Sequence, residues 1–401
     1  MINLNSSYNK TNEQSQKLYK KFSLREFGGA FGDWSTLIPF IIGYVLIVGL
    51  NPVGIFLGLG ITNIILGIKY NLPLPVQPQK TIGTVALSQG WSPSLVISTG
   101  FGTGIIWAIL GLSRKLNIIV KKVPHTAVRG IQLGLSFILG WAAILLFVEN
   151  LILGMIAISI ILILINSKKI PSAILLMFLG FFIIFFTGVV HVSDIRFELP
   201  IFTFYIPSWE DLLIGMLIAG IAQLFLTLTN VMIATISLVK DLFPEKEDVI
   251  DANSLALNMG AMNLITPFIG GIPLCHGSGG LAAQYAFGAR TGGSMIFEGI
   301  FEIILGLFFS QTLFVLFTEF PKAILGAMLL YTAFLLGKIS FKSFNLKAFP
   351  IILISAIICF AFNITAGFIV GVILFLFLRN KIEPPNNDEP SEEELTSSHL
   401  T

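Results

Sequence analysis

Apolar residues run in blocks of about twenty along most of this chain, separated by short polar links, which is the pattern of helices that cross a bilayer. In the first half the blocks are Phe31 to Leu50, Pro52 to Ile68, Ser94 to Leu112, Thr126 to Trp141, Ala142 to Ile165 and Pro171 to Val190. After a polar stretch over 191–209, the second half supplies Asp211 to Val239, Ile250 to Gly270, Gly293 to Phe317, Pro321 to Leu336, Lys347 to Phe360 and Thr365 to Leu378. Two segments break the pattern. From Asn71 to Gly90 the prolines at 73, 75 and 78 forbid a helix, and helical spacing begins only near Gln79. From Ile272 to Arg290 the chain is extended after Pro273, and Leu281, Ala282, Tyr285, Ala286 and Ala289 then recur at helical spacing from about Ser278. Each segment reads as an extended entry followed by a half-length helix inside the apolar layer. Pro73-Leu74 and Pro273-Leu274 share a dipeptide 200 positions apart.

With the half-helices included, the count is seven spans in each half, and the odd element is third and tenth. An odd number of spans inverts the second copy relative to the first. Inverted repeats whose discontinuous helices meet near the midplane are a secondary-transporter architecture. The expectation is an all-α polytopic membrane protein: an N-terminal tail over 1–26, a first repeat over 27–190, a connector over 191–209, a second repeat over 210–379 and a disordered tail over 380–401. With the N-terminus in the cytoplasm, the expected inner links collect Lys69, Arg114, Lys115, Lys240, Lys246, Arg290, Lys338 and Arg379, among others, while the outer links hold Arg196 and Lys322. That bias places both termini in the cytoplasm.

Composition agrees. The chain has 401 residues, of which 55% are hydrophobic and 11% charged, against about 25% charged in soluble domains. A net charge of +2 with scattered basic residues points away from nucleic acid. Cys275 and Cys359, both in apolar context, give neither a disulfide framework nor a metal pattern, so no metal and no cofactor is expected. The first 26 residues hold no apolar core of a signal peptide, and the acidic, proline-rich end is too short for a further globular domain.

The candidate chemistry gathers at the two half-helices. A helix N-terminus carries unpaired N–H groups and about half a positive charge. Gly277, Gly279 and Gly280 leave the donors of the second half-helix uncovered, as an approaching anion requires. Lys80, at the start of the first, is the one basic residue this count leaves inside the bilayer, where cations mark substrate or ion paths. Two N-termini and Lys80 together offer roughly two positive charges, a match for a dianion. Gln77, Gln79, Thr81 and Ser88 surround the first half-helix, and Cys275, His276, Ser278 and Gln284 surround the second. Amides and hydroxyls suit an oxyanion because they donate hydrogen bonds without fixed charge. Gln223, Thr227 and Asn230 lie at i, i+4, i+7 on the eighth span and are expected to face the same cavity. Asp33, Glu298 and Glu302, with Glu149 on the sixth span, are carboxylates at apolar depth and so candidate proton carriers, with Asp33 or Glu298 an alternative ion-pair partner for Lys80.

Three stretches resemble one family: PVQPQKTIG at 75–83, LTLTNVMIATISLVKDLFP at 226–244 and PLCHGSGGLAAQYAFGARTG at 273–292 are similar to hallmark stretches of the molybdate transporters, relatives of the sulfate permeases. The resemblance runs from about Phe27 to the fourteenth span. It implies two inverted seven-span repeats of the uracil-permease and sulfate-permease type, a core domain carrying the half-helices, a gate domain moving against it, and uptake of tetrahedral molybdate. It also implies that the C-terminal regulatory domain of the sulfate permeases is missing here, and that Gln77, Gln79, Lys80 and the segment His276 to Gln284 hold the anion. Gln79 replaces the methionine that the family carries there, a change that bears on selectivity. Sulfate, tungstate or a general oxyanion is the rival substrate, and an anion channel the rival mechanism. A nucleobase carrier would leave Lys80 without a counter-charge, and an enzyme would need more than the adjacent Cys275 and His276. The partners expected are the oxyanion, membrane lipid and a second copy of the chain in a homodimer.

Overall fold

A computed structural model describes residues 22–116, 124–165, 167, 171–200, 202–341 and 346–382. The helices start where the sequence supplies caps. A short helix α1 (Leu24–Ala30) leads into α2 (Trp34–Leu46) at a bend of 45°. Asn51 then accepts a hydrogen bond from the Val53 N–H at 3.0 Å and opens α3 (Pro52–Tyr70), with Pro52 in its first turn. Strand β1 (Val76–Pro78) and half-helix α4 (Lys80–Gln89) follow, and Gly90 at φ 61° ends α4 in the left-handed conformation. Ser92 caps α5 (Pro93–Ser113), again with proline at its start. Next come α6 (His125–Phe147), α7 (Leu151–Leu164) and α8 (Ser172–Phe186).

The second half begins with three helical pieces, α9 (Trp209–Gly215), α10 (Ile221–Thr227) and α11 (Ala234–Leu242), joined by π-helical turns Met216–Gly220 and Leu228–Ile233. A capping box of Asp251 and Ser254 opens α12 (Ala252–Ile265), and strand β2 (Leu274–His276) then leads into half-helix α13 (Ser278–Phe287). The remaining helices are α14 (Gly292–Phe308), α15 (Ser310–Thr318), α16 (Lys322–Ser340), α17 (Phe349–Ala361) and α18 (Ile364–Ile382).

Packing pairs the two halves. Helix α3 lies along α14, α5 along α12 and α6 along α16. The first crossing is so close that a Cβ on Gly60 would stand 2.7 Å from the Gly299 carbonyl oxygen, and one on Gly299 would stand 2.5 Å from that of Gly60. At the centre β1 and β2 form a two-stranded antiparallel ribbon, with Val76 opposite His276, Gln77 opposite Cys275 and Pro78 opposite Leu274.

The apolar blocks and both half-helices stand where the sequence places them, with four differences. The break expected between Trp141 and Ala142 falls at the 3-10 turn Val148–Asn150, because α6 continues to Phe147 and the side chain of Asn150 caps α7. Glu149 therefore sits on that turn, half-exposed and 3.3 Å from Lys322, not at apolar depth. The span expected over Gly293 to Phe317 stops at Phe308, and the helix beyond it, α15, meets α16 at 91°. By length and composition alone, four helices among the described residues are able to cross a membrane, or seven if each bent pair is one span, fewer than the sequence count. Part of that shortfall is that His125–Leu164 counts as one candidate and that Ser172–Phe186, Phe349–Ala361 and Ile364–Leu378 are each shorter than a bilayer is thick.

Candidate anion-binding site

The ribbon puts a helix N-terminus at each of its ends. Helix α4 leaves one end two residues after Pro78, and α13 leaves the other two residues after His276. Two asparagines fix the strands. Asn63 of α3 accepts from the Val76 N–H at 3.0 Å, and Asn263 of α12 accepts from the Leu274 N–H at 2.8 Å while donating to the Leu274 carbonyl at 2.7 Å. Strand backbone at apolar depth is thus paired rather than left bare.

At the start of α4, Gln79 is buried and donates to Thr103 Oγ1 at 3.0 Å and to the Leu274 carbonyl at 3.1 Å. The Thr81 N–H, one of the helix's free donors, gives its hydrogen bond to Gln223 Oε1 at 2.7 Å, and Gln223 Nε2 donates to Thr227 Oγ1 at 2.8 Å. Lys80 Nζ is enclosed, stands 4.9 Å from the centre of the Phe40 ring and has no hydrogen-bond partner among the described residues. At the start of α13, Gly277 and Ser278 are partly exposed and a Cβ on Gly279 would meet nothing within 4 Å. Gly280 is different: a Cβ there would stand 2.8 Å from Pro75, so glycine is what lets the half-helix approach the ribbon.

A second network adjoins the first through Gln77, whose Nε2 donates to Asp33 Oδ2 at 2.9 Å and to Thr36 Oγ1 at 3.0 Å. Gln284 Nε2 donates to Asp33 Oδ1 at 3.2 Å and to Glu298 Oε2 at 2.7 Å. Trp34 Nε1 donates to Glu298 Oε1 at 3.0 Å, and Asn63 Nδ2 to Glu302 Oε2 at 2.9 Å. All three carboxylates are fully buried, and their hydrogen-bond donors are amides and an indole.

The fold therefore brings Gln77, Gln79, Lys80, Thr81, Gln223, Thr227 and the Gly277 to Gly280 turn to one ribbon. Cys275 faces inward and donates to the Pro78 carbonyl at 3.7 Å, and His276 is enclosed opposite Val76. Gln284 spends its amide on the carboxylates, and Ser294 Oγ donates to its oxygen at 3.3 Å. Ser88 lies at the far end of α4, on a separate cavity of about 400 Å³ that Glu149 and Lys322 also line. The Asp33 carboxylate takes its hydrogen bonds from glutamines rather than from Lys80. The i, i+4, i+7 face expected on the eighth span does not persist, because a π-helical turn starts at Leu228 and changes the angle per residue; the Asn230 side chain lies outside the described residues. No cluster of three or more His, Cys, Asp or Glu placed to hold a metal ion occurs among the described residues.

Asn63, Asn263, Thr36, Thr103 and Trp34 were not legible as site residues. One signal existed: the offset that relates Pro73 to Pro273 also relates Asn63 to Asn263.

Residues 25–139 and 215–336 match the family profile described as "Molybdate transporter of MFS superfamily". Two curated relatives come from Arabidopsis thaliana. Molybdate transporter 2 is 31% identical, with 88% of this chain and 87% of the relative aligned, and molybdate transporter 1 is 30% identical, with 89% of each. Among solved structures, the transmembrane domain of a cyanobacterial bicarbonate transporter, BicA, superposes with a TM-score of 0.63 at 16% identity, covering 88% of this chain and 98% of that one. The murine anion transporter Slc26a9 in its inward-facing state gives 0.67 at 13% identity, covering 90% and 69%. These likenesses show that the chain has this membrane-transporter fold.

Proposed function

The chain belongs to the molybdate transporter family, a multi-pass membrane transporter and not an enzyme, and on that premise we propose that it imports molybdate by proton-coupled alternating access. The observation that carries this reading is Lys80: an enclosed ammonium without a hydrogen-bond partner among the described residues, at the N-terminus of a half-helix that ends within the fold. A buried, unpaired cation is costly unless a ligand supplies the counter-charge. A tetrahedral dianion does so. Its remaining oxygens are suited to the N–H groups at the start of α13, where Gly279 leaves room.

Proton coupling rests on the second network. Asp33, Glu298 and Glu302 outnumber the single ammonium nearby, and with all three ionised their field opposes a dianion. Uptake of protons by the network removes that repulsion, and Gln77 and Asn63 connect the change to the ribbon. Binding of the anion and of protons then favour one another, as symport requires.

The two-fold pattern of packing, α3 on α14 and α5 on α12 about the ribbon, supports two inverted repeats over 27–190 and 210–379 joined by a connector at 191–209. In this reading α4, α13 and their neighbours form the core and α6 to α8 with α16 to α18 the gate, both termini lie in the cytoplasm, lipid surrounds the spans, and the protein pairs as a homodimer.

The test is uptake of radiolabelled molybdate into liposomes holding the purified protein, with and without an inward proton gradient and with unlabelled sulfate as competitor. Saturable uptake that the gradient enhances and excess sulfate leaves unchanged fits molybdate symport. Suppression by sulfate replaces molybdate with a general oxyanion, and non-saturable flux replaces the carrier with a channel.

A further inference from the structure

Beside the lysine, one donor at the N-terminus of α4 is already engaged. The Thr81 N–H is held at 2.7 Å by Gln223 Oε1, and because a backbone N–H only donates, the oxygen of that amide must be the atom facing it. Gln223 Nε2 is anchored in turn on Thr227 Oγ1 at 2.8 Å, and all three residues are buried. Nearby acceptors and hydroxyls remain without partners: Thr81 Oγ1 and Gln79 Oε1 are both enclosed and unbonded among the described residues. A carbonyl oxygen on the N-terminal N–H of a helix occupies the place an oxyanion oxygen would take there.

Resting on the oxyanion reading above, we infer that Gln223 is a built-in competitor: its amide oxygen stands on the Thr81 N–H, and an incoming anion must displace it. Gln223 thus sets the affinity of the site by opposing binding rather than by contributing to it. Its helix is built for such a release. The α10 segment is seven residues long, bounded on both sides by π-helical turns, which shift the register of a helix at low cost. It packs on α4, on α6 and on α18, so that displacement of Gln223 passes directly to α6 and α18, helices of the gate in the reading above. Occupancy of the site is then coupled to a change in the packing of α10. A ligand role in which Gln223 only adds a donor makes the reverse prediction for its removal.

The experiment is equilibrium binding of molybdate, and separately of sulfate, to purified wild-type protein, Q223A, Q223E and T227V in detergent, with melting curves recorded for each. For whichever oxyanion the wild type binds, Q223A is expected to bind about 2- to 10-fold more tightly, the worth of one neutral hydrogen bond released. Q223E is expected to bind at least about tenfold more weakly, since a carboxylate holds the N–H more strongly and repels the anion. Weaker or unchanged binding by Q223A overturns the inference. Should Q223A fail to fold, T227V decides: it removes the anchor of the amide, so tighter binding supports the competitor and unchanged or weaker binding overturns it. A wild type that binds neither oxyanion refutes the functional reading instead, and the two failures are distinct.

Discussion

Replacing Lys80 separates a substrate-binding cation from a structural one, because the two roles predict opposite signs for stability. In the structure Lys80 Nζ is enclosed with no hydrogen bond among the described residues; the Phe40 ring lies at 4.9 Å, and the Asp33 carboxylate, when ionised, also favours the ammonium. Burial of an ammonium at membrane depth costs at least about 2.5–3.5 kcal/mol on insertion scales. A desolvated cation–π contact returns about 2 kcal/mol. With Asp33 protonated, Lys80→Met, which keeps the stem and discards the charge, therefore stabilises the protein without anion by about 0.5–1.5 kcal/mol. The bound state loses a charge-assisted hydrogen bond worth about 1.5–3 kcal/mol, or roughly 10- to 150-fold in affinity. The assay is paired: melting of the detergent-solubilised protein, and binding of molybdate to the same sample. Lys80→Met is expected to melt higher and bind weaker. A variant that melts lower while binding normally would show that Lys80 holds the fold together, and the anion argument would fall.

Glu298→Gln is expected to retain molybdate uptake while losing its enhancement by a proton gradient, since Glu298 is the carboxylate shared between Trp34 and Gln284; a gradient response equal to the wild type removes it from the proton path. Asn63→Ala strands the Val76 N–H and Glu302 and is expected to cost about 2–5 kcal/mol, while Asn263→Ala strands the Leu274 N–H, its carbonyl still taking a hydrogen bond from Gln79, and is expected to cost about 1–3 kcal/mol, each read as a lowered melting temperature. Ahead of the first apolar span, Glu26 is buried against the backbone N–H groups of Arg290 and Thr291, at 3.0 and 3.4 Å, and burial raises its pKa above the ordinary 4.5. A carboxyl raised in the folded state contributes stability that is complete below 4.5 and is lost as pH climbs through the folded value, so Glu26→Gln should flatten that part of the melting profile; a wild-type slope in the variant contradicts the assignment.

Several residues of the candidate site were legible because a local rule marks them. Lys80 is a charge among apolar residues, and Gly277 to Gly280 after Pro273 announce an exposed helix start, whatever the rest of the chain does. Gln284 was legible as polar at depth, yet its place among Asp33 and Glu298 was not, since it depends on how α13 lies against α2 and α14. Asn63 carries no local mark at all. An asparagine inside an apolar helix has the same appearance whether it faces a neighbouring helix or, as here, pins a strand thirteen residues away.

The sequence by itself determined that apolar helices dominate the chain and that it breaks at 71–79 and 272–277, because proline and glycine act on their own backbone and apolar length is counted along the chain. It also determined that two half-helices exist and that a cation stands at the head of one. Only the tertiary structure decided what meets at those heads: the antiparallel register of 76–78 on 274–276, Gln223 on Thr81, and the three carboxylates beside Gln77 and Gln284. Those pairings join residues 14 to 251 positions apart. They follow from helices crossing at close range through glycines such as Gly60 and Gly299, and a hydrogen bond that exists only when two distant backbones arrive together leaves no trace in the spacing of either one.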